Sequence, residues 1–265
     1  MSITKIVFSI FIFYTVAVLL VYYFQEKIIF QGSSLEEDYT FNLETPFEEV
    51  FLETHDGYTA HGVLLQAENP RGVILYFHGN RKNITRWGNE ANYLLQYGYN
   101  VLVMDYRGYG KSTGPRTEEN IHKDARLAYD YLKKEYVEDQ ILIYGRSVGT
   151  GVATRLASEV PARSLLLETP YHNFRDMISS RMMILPSKRL IKFEFSSQDY
   201  IGRVSCPIHI FHGTDDAVVL YELGQKLSQK AKPDLVNFYT IEGGSHNDLV
   251  NFPSYQNAVK EVLTN

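Results

Sequence analysis

From about residue 50 onward, short apolar runs alternate with longer segments of helical periodicity. The first two runs flank His55-Asp56-Gly57, a turn sequence that predicts a hairpin. Most of the others are continuously apolar, as is typical of strands buried on both faces of a parallel sheet. Strands are predicted at Glu49–Glu53, Ala60–Gln66, Gly72–Phe77, Asn100–Asp105, Gln140–Tyr144, Ser164–Leu167, Pro207–Phe211 and Asn237–Ile241.

The segments between these runs predict helices, and the alternation predicts a mostly parallel eight-stranded sheet with helices on both faces. The pattern is interrupted between residues 170 and 203 by a proline and mixed charges, which we interpret as a short cap over the site. We assign residues 49–265 to one catalytic domain with a sizeable core. Its helices are predicted at Asn83–Tyr97, Thr117–Lys134, Ser147–Ser158, Tyr221–Lys230 and Ser254–Leu263.

The N-terminal segment has a different character. No charged residue occurs from Ile6 to Phe24, and a helix of that length just spans a hydrocarbon layer of about 30 Å. The aromatic cluster at residues 22–24 suits a membrane interface. We therefore predict an N-terminal transmembrane helix within residues 1–27, acting as a membrane anchor, and a polar, acidic tether over residues 28–48.

A cleaved signal peptide is the main alternative for this segment, and a buried core helix is another. Residues 19–23 offer no small-residue cleavage site, which favours an uncleaved, single-pass anchor. One lysine precedes the span, Lys5, and one follows it, Lys27, so the charges discriminate weakly between orientations. We predict that the catalytic domain lies on the non-cytosolic face.

Composition narrows the function classes. The formal charge of −5 argues against a nucleic-acid binder. The single cysteine, Cys206, excludes an intramolecular disulfide and a cysteine-rich zinc site. The Gly-Lys-Ser sequence at 110–112 lacks the earlier glycine of a phosphate-binding loop. No metal or cofactor is implied, and the sequence does not determine the oligomeric state.

A Gly-x-Ser-x-Gly motif centred on Ser147 follows the apolar run ILIYG and precedes a helical segment. Such a nucleophile elbow needs glycines at a sharp strand-to-helix turn, which leaves the serine hydroxyl exposed at a helix N-terminus. The motif alone is common by chance. Its placement between a strand and a helix makes Ser147 a candidate catalytic nucleophile.

A serine nucleophile needs an oriented base, and two later strand ends carry the partners for a catalytic triad. Asp216 and His246 follow predicted strands, and the order Ser147, Asp216, His246 fits an α/β sheet enzyme. Asp215 and Glu168 remain rivals for the acid. We interpret four other histidines as structural rather than catalytic: His55, His61, His122 and His209.

Backbone amides are expected to form the oxyanion hole. Val148 follows the nucleophile and supplies one N–H, and Asn80, in the loop after GVILYF, supplies the other. Cations near this loop could meet an anionic substrate group, although solvated surface charge is the favoured interpretation. The candidate substrate contacts are His78, Arg81, Arg146 and His172.

Together, HGN, DYRGYGKSTG, GRSVG, HGTDDAVV and GGSHND resemble the α/β-hydrolase superfamily. From about Val50 to the C-terminus the chain is similar to its small membrane-anchored branch, often labelled serine aminopeptidase-like or acyl-protein-thioesterase-like. The resemblance implies that the acid is the third residue after His212-Gly213, which is Asp216. The chain departs from the pattern at Arg81-Lys82, where relatives often carry small residues, and this bears on substrate more than on catalysis.

The sequence therefore predicts a membrane-anchored serine hydrolase that cleaves carboxylic esters or thioesters through an acyl-enzyme. Small-molecule, lipid-derived or acylated substrates fit a site held at a bilayer. A serine peptidase with the same triad is an alternative. A non-catalytic membrane-bound binding module is another, and it would lack an activated serine.

Overall fold

The computed structural model describes residues 2–181 and 190–264. Within them, the large sheet is built from β2 Phe47–Glu53, β3 Thr59–Leu65, β4 Val73–Phe77, β6 Asn100–Met104, β7 Ile141–Arg146, β8 Ser164–Glu168, β9 Ile208–Gly213 and β10 Val236–Ile241. Their order across the sheet is β10-β9-β8-β7-β4-β6-β3-β2. Two short strands, β1 Gln31–Gly32 and β5 Arg81–Lys82, pair with each other outside it.

The predicted mostly parallel sheet is confirmed. Only the pairs β2–β3 and β3–β6 are antiparallel among the described strands, and the first is the predicted hairpin. Gly57 turns that hairpin with a φ of 78°, a left-handed conformation that glycine adopts without strain. Every residue of β4, β6, β7 and β8 is buried, which explains their continuously apolar sequences.

Helices cover both faces of the sheet, and two separate groups of apolar residues form the core on either side. The predicted helix at Asn83–Tyr97 is α-helical only to Ala91 and then continues as a 3₁₀ helix that ends at Gly98, whose φ is 77°. The helices are α1 Ile3–Ile29, α2 Ile84–Ala91, α3 Glu118–Leu132, α4 Gly149–Glu159, α5 Phe174–Arg181, α6 Ser197–Tyr200, α7 Tyr221–Ser228 and α8 Pro253–Thr264.

Helix α1 is long and apolar enough to cross a membrane. Its C-terminal end packs against the domain, since Ile29 and the following Phe30 are both buried. The predicted tether over residues 28–48 is therefore not free of the domain where it begins. The apolar side chains there join the core, and β1 pairs directly with β5.

The predicted cap at 170–203 includes α5, α6 and a 3₁₀ turn at Ile201–Arg203, and its residues 182–189 lie outside the described residues. Phe193 and Phe195, from its second half, pack against Phe30 with ring centroids 4.7 and 6.4 Å away. The end of α1 and the cap therefore share one aromatic cluster.

Candidate active site

Ser147 lies at the sharp turn between β7 and α4 with a φ of 52°, a left-handed conformation that is strained for any residue but glycine. The turn is close-packed. A Cβ on Gly149 would lie 2.1 Å from the carbonyl oxygen of Phe77, and one on Gly145 would lie 2.6 Å from the Gly149 carbonyl. Both glycines of the motif are therefore required by sterics, as the sequence predicted.

The structure brings together the three residues that the sequence singled out for acyl chemistry. His246 Nε2 lies 2.9 Å from Ser147 Oγ, and His246 Nδ1 lies 2.8 Å from Asp216 Oδ2. With Nδ1 protonated, the ring donates to the carboxylate and Nε2 can accept the serine proton. This arrangement has the geometry of an activated nucleophile.

Asp216 is buried and fixed by backbone as well as by His246. Its Oδ1 accepts hydrogen bonds from the N–H groups of Val218 and Val219, each over 2.8 Å. Burial alone would raise the pKa of this carboxyl, but hydrogen bonds from His212 and His246 outweigh it and hold the pKa well below its usual range. Asp216 is therefore ionised and able to orient His246.

His212 is a site residue that sequence reasoning missed. Its Nε2 lies 3.4 Å from Asp216 Oδ2 and 2.9 Å from the Val219 carbonyl oxygen, and both His212 and Asp216 are buried. The His212-Gly213 pair, whose histidine is four residues before Asp216, was used in the sequence analysis only to locate the acid. The histidine itself was not considered as a site residue.

The rival acids lie elsewhere. Asp215 is exposed, next to Thr214, and Glu168 is buried beneath the nucleophile turn. The Glu168 carboxylate accepts a hydrogen bond from the Tyr255 hydroxyl over 3.0 Å and lies 3.2 Å from the Arg146 guanidinium.

The two predicted oxyanion donors flank Ser147. Val148 follows it directly, and a Cβ on Gly79, the residue before Asn80, would lie 3.8 Å from Ser147 Cβ. Across residues 2–181 and 190–264, neither the backbone N–H of Asn80 nor that of Val148 donates to another protein group. Both N–H groups are thus available to a ligand oxygen beside Ser147.

A cavity of about 280 Å³ opens over Ser147 and His246. Its lining is predominantly aliphatic and aromatic, which suits a substrate with an apolar acyl group. Its apolar residues are Val21, Ile28, Ile29, Trp87, Val148, Tyr171, Phe174, Met177, Ile178, Ile191, Val218 and Val219.

Two of the four predicted substrate contacts line this cavity, Arg81 and Arg146. Arg146 is buried, and its guanidinium lies within 2.8 Å of Glu90 and 3.2 Å of Glu168, so its charge is compensated. Within the described part of the chain, the Arg81 guanidinium has no carboxylate partner. Arg81 therefore remains the better candidate for an anionic group.

Neither of the two histidines predicted as substrate contacts lines this cavity. His78 is fully buried beneath its loop, with Nε2 3.0 Å from Asp105 Oδ1 and Nδ1 2.6 Å from the Gly79 carbonyl oxygen. His172 lies outside the cavity lining, and its Nε2 is 3.9 Å from Asp176 Oδ2.

Residues 68–197 match a family model described as serine aminopeptidase, S33. The lysophosphatidylserine lipase ABHD12 of Danio rerio is 31% identical over 229 residues, covering 75% of this chain and 59% of that protein. The esterase Pf2001 of Pyrococcus furiosus superposes with a TM-score of 0.67 at 25% identity, covering 83% of this chain and 92% of the esterase chain. The chain belongs to the α/β-hydrolase superfamily.

A further superfamily relative, the α/β hydrolase domain-containing protein aho-3 of Caenorhabditis elegans, is 29% identical over 203 residues, covering 74% of this chain and 58% of that protein. The chain thus spans about three fifths of the length of the curated relatives it matches. Helix α1 supports a membrane anchor for this α/β-hydrolase. Among the described residues, no cluster of three or more histidine, cysteine or carboxylate side chains could hold a metal ion.

Proposed function

We propose that the protein is a membrane-anchored serine hydrolase that cleaves carboxylic esters of lipids. One observation carries the proposal: the hydrogen-bonded series Ser147, His246, Asp216 opens into a predominantly apolar cavity. The lipases and esterases among its relatives support the same chemistry.

In the proposed reaction, His246 Nε2 takes the proton of Ser147 as Oγ attacks the ester carbonyl carbon. The Asn80 and Val148 amides stabilise the resulting oxyanion, and Asp216 stabilises the imidazolium. His246 then protonates the leaving alcohol. A water molecule, deprotonated by His246, attacks the acyl-enzyme and releases the fatty acid and Ser147.

The substrate class we propose is a lipid with one acyl chain and an anionic headgroup. A cavity of about 280 Å³ is slightly smaller than the usual small-molecule pocket of about 300–1,000 Å³, which favours one chain over two. Arg81 at the cavity supplies an uncompensated positive charge. Several relatives are named lysophosphatidylserine lipases, and the lipid in that name is of this substrate class.

We also propose that α1 anchors the domain on the non-cytosolic face, with Lys5 on the cytosolic side. Protease protection in sealed vesicles of known orientation tests this topology. Cleavage of the domain only from the side that corresponds to the cytosol would overturn it.

The test of activity uses the full chain in phospholipid vesicles, labelled with a fluorophosphonate and assayed on a monoacyl ester. Ser147→Ala should abolish labelling and lower turnover by roughly 10⁴-fold or more. The matched control is Ser158→Ala in α4, which should retain both. Labelling and turnover that survive in Ser147→Ala would refute the proposal.

A peptidase is the second candidate, because the matching family model is described as a serine aminopeptidase. An ester, a thioester and an aminoacyl amide that share one acyl group separate these activities. Ester hydrolysis should exceed amide hydrolysis in kcat/KM, and the reverse order would favour the peptidase.

A further inference from the structure

The anchor helix contributes directly to the cavity over the nucleophile. Val21, Gln25, Ile28 and Ile29 of α1 all line it. These positions are spaced by four, three and one residues, so they fall on one face of the helix. The last two turns of α1 therefore present a continuous side to the substrate.

Gln25 fixes this part of the helix to the cap. It is buried, although it lies at the end of an apolar segment. Its Nε2 donates to the Leu190 carbonyl over 3.0 Å, and its Oε1 accepts from the Lys192 N–H over 2.7 Å. A buried side-chain amide that is satisfied in this way holds its two partners in one relative position.

The end of the helix is also fixed to the loop that carries Asn80. Asn80 Nδ2 donates to the Ile29 carbonyl over 2.8 Å, and the Gln31 N–H donates to the Asn80 carbonyl over 3.0 Å. Phe30 is buried, with the Arg116 guanidinium 5.0 Å from its ring centroid. The cavity wall supplied by α1 is thus held from the cap, the loop and the core.

The wall continues directly from the apolar part of α1 that is long enough to span a membrane. The uncharged segment from Ile6 to Phe24 rises about 27 Å at about 1.5 Å per residue, close to the hydrocarbon thickness of about 30 Å. The wall, residues 21–29, therefore begins in the last turn of that segment. Ile28 lines the cavity and yet is 57% exposed. An apolar surface therefore runs from the membrane-spanning part of α1 to the cavity over Ser147.

We propose that the last two turns of α1 form the acyl-chain wall of the active site, and that the lipid chain reaches Ser147 from the bilayer along this helix. This inference rests on the proposed lipid ester hydrolysis. The anchor is then part of the substrate site, which makes residues 21–29 determinants of acyl-chain specificity.

The test compares Ile28→Trp with Leu20→Trp in full-length protein in phosphatidylcholine vesicles. Leu20 is 52% exposed on the same helix and lies outside the cavity lining, so it is a matched control. The substrates are hexadecanoyl and butanoyl esters of one alcohol. A hexadecanoyl chain is long enough to lie along the wall, whereas a butanoyl chain ends close to the ester group, so a blocked wall penalises the long chain selectively.

For Ile28→Trp, kcat/KM should fall by at least roughly tenfold on the hexadecanoyl ester and stay within about twofold on the butanoyl ester. Leu20→Trp should change neither by more than about twofold. Equal effects of Ile28→Trp on both esters, or none on either, would overturn the inference while the proposed function stands. A wild-type protein without fluorophosphonate labelling or ester turnover would overturn both.

A second measurement does not depend on tolerance of tryptophan. Cys206 is buried and its thiol pKa is raised to about 11 by burial, so a cysteine placed on α1 can be alkylated selectively. A hexadecyl phosphonate bound to Ser147 should slow maleimide labelling of Ile28→Cys at least about fivefold. It should leave Tyr23→Cys, 73% exposed and outside the cavity lining, unchanged. Equal slowing of maleimide labelling in Ile28→Cys and Tyr23→Cys would contradict the proposal that α1 forms the acyl-chain wall.

Discussion

The side-chain amide of Asn80 donates a hydrogen bond to the carbonyl of Ile29, the last residue of α1, over 2.8 Å. Carbonyls in the last turn of a helix have no partner within it, and Asn80 supplies one. The same residue offers the proposed oxyanion donor through its backbone N–H. Asn80 therefore joins the anchor helix to the loop that carries the proposed oxyanion donor.

Replacing Asn80 by alanine should separate these two roles, because the backbone N–H remains and only the link to α1 is lost. A hydrogen bond of this kind contributes about 0.5–1.5 kcal/mol, so kcat should fall up to roughly tenfold if the loop position depends on it. The fall should be similar for long and short esters, with KM for the butanoyl ester unchanged.

The measurement is steady-state kinetics in vesicles, with Asn89→Ala as control. Asn89 is exposed on α2 and its amide makes a long hydrogen bond of 3.3 Å to the Thr85 carbonyl, so its loss should alter kcat by less than about twofold. An Asn80→Ala enzyme with unchanged kcat would show that the loop keeps its position without the anchor.

Much of the fold and the triad positions could be predicted, because both depend on local patterns. Strands such as β4 and β7 are apolar throughout since both faces are covered. Ser147, Asp216 and His246 each follow a strand of the parallel part of the sheet, and parallel strands bring their carboxyl ends to one edge. Their mutual contacts follow from topology rather than from side-chain detail.

The remaining features depend on contacts that leave no local signal. Gln25 and Leu190 are bonded across 165 residues, and nothing near either position in the sequence indicates the other. The polar composition of residues 31–45 masked the packing of Phe30. His78 lies beside Gly79 in the predicted loop, but its side chain is buried and its Nε2 forms a hydrogen bond with the Asp105 carboxylate.

His209 should make stability depend on pH. Burial lowers the pKa of this β9 histidine to about 4, against about 6.5 in an unfolded chain. Between these values the unfolded state binds the proton and the folded state does not, so stability is full above pH 6.5 and falls as the pH drops towards 4.

Urea unfolding at pH 7 and pH 4.5 measures this effect. His209→Phe keeps an aromatic ring beside Tyr239, and it should lose less stability than wild type on acidification, by about 1–2 kcal/mol after allowance for partial exposure. His55→Phe, at an exposed position, is the control and should follow wild type. Parallel curves for wild type and His209→Phe would contradict the assigned cause.

Arg81 should set the preference for an anionic headgroup. Its guanidinium lines the cavity mouth, whereas the charge of Arg146 is already compensated by Glu90 and Glu168. Because Arg81 is exposed, one ion pair there is worth at most about 1 kcal/mol. Arg81→Gln should therefore lower kcat/KM for an anionic monoacyl phospholipid by about three- to fivefold relative to a neutral one.

Lys82→Gln is the matched control, since Lys82 is an exposed neighbour outside the cavity lining. It removes the same charge from the surface, so it should weaken only the long-range attraction of the anionic substrate and lower the preference by less than about twofold. Added salt should narrow the wild-type preference, because salt screens the ion pair between Arg81 and the anionic headgroup. The preference of Arg81→Gln should stay nearly constant, because that ion pair is already absent. If Lys82→Gln and Arg81→Gln lower the preference equally, the selectivity comes from the net surface charge and Arg81 has no specific contact.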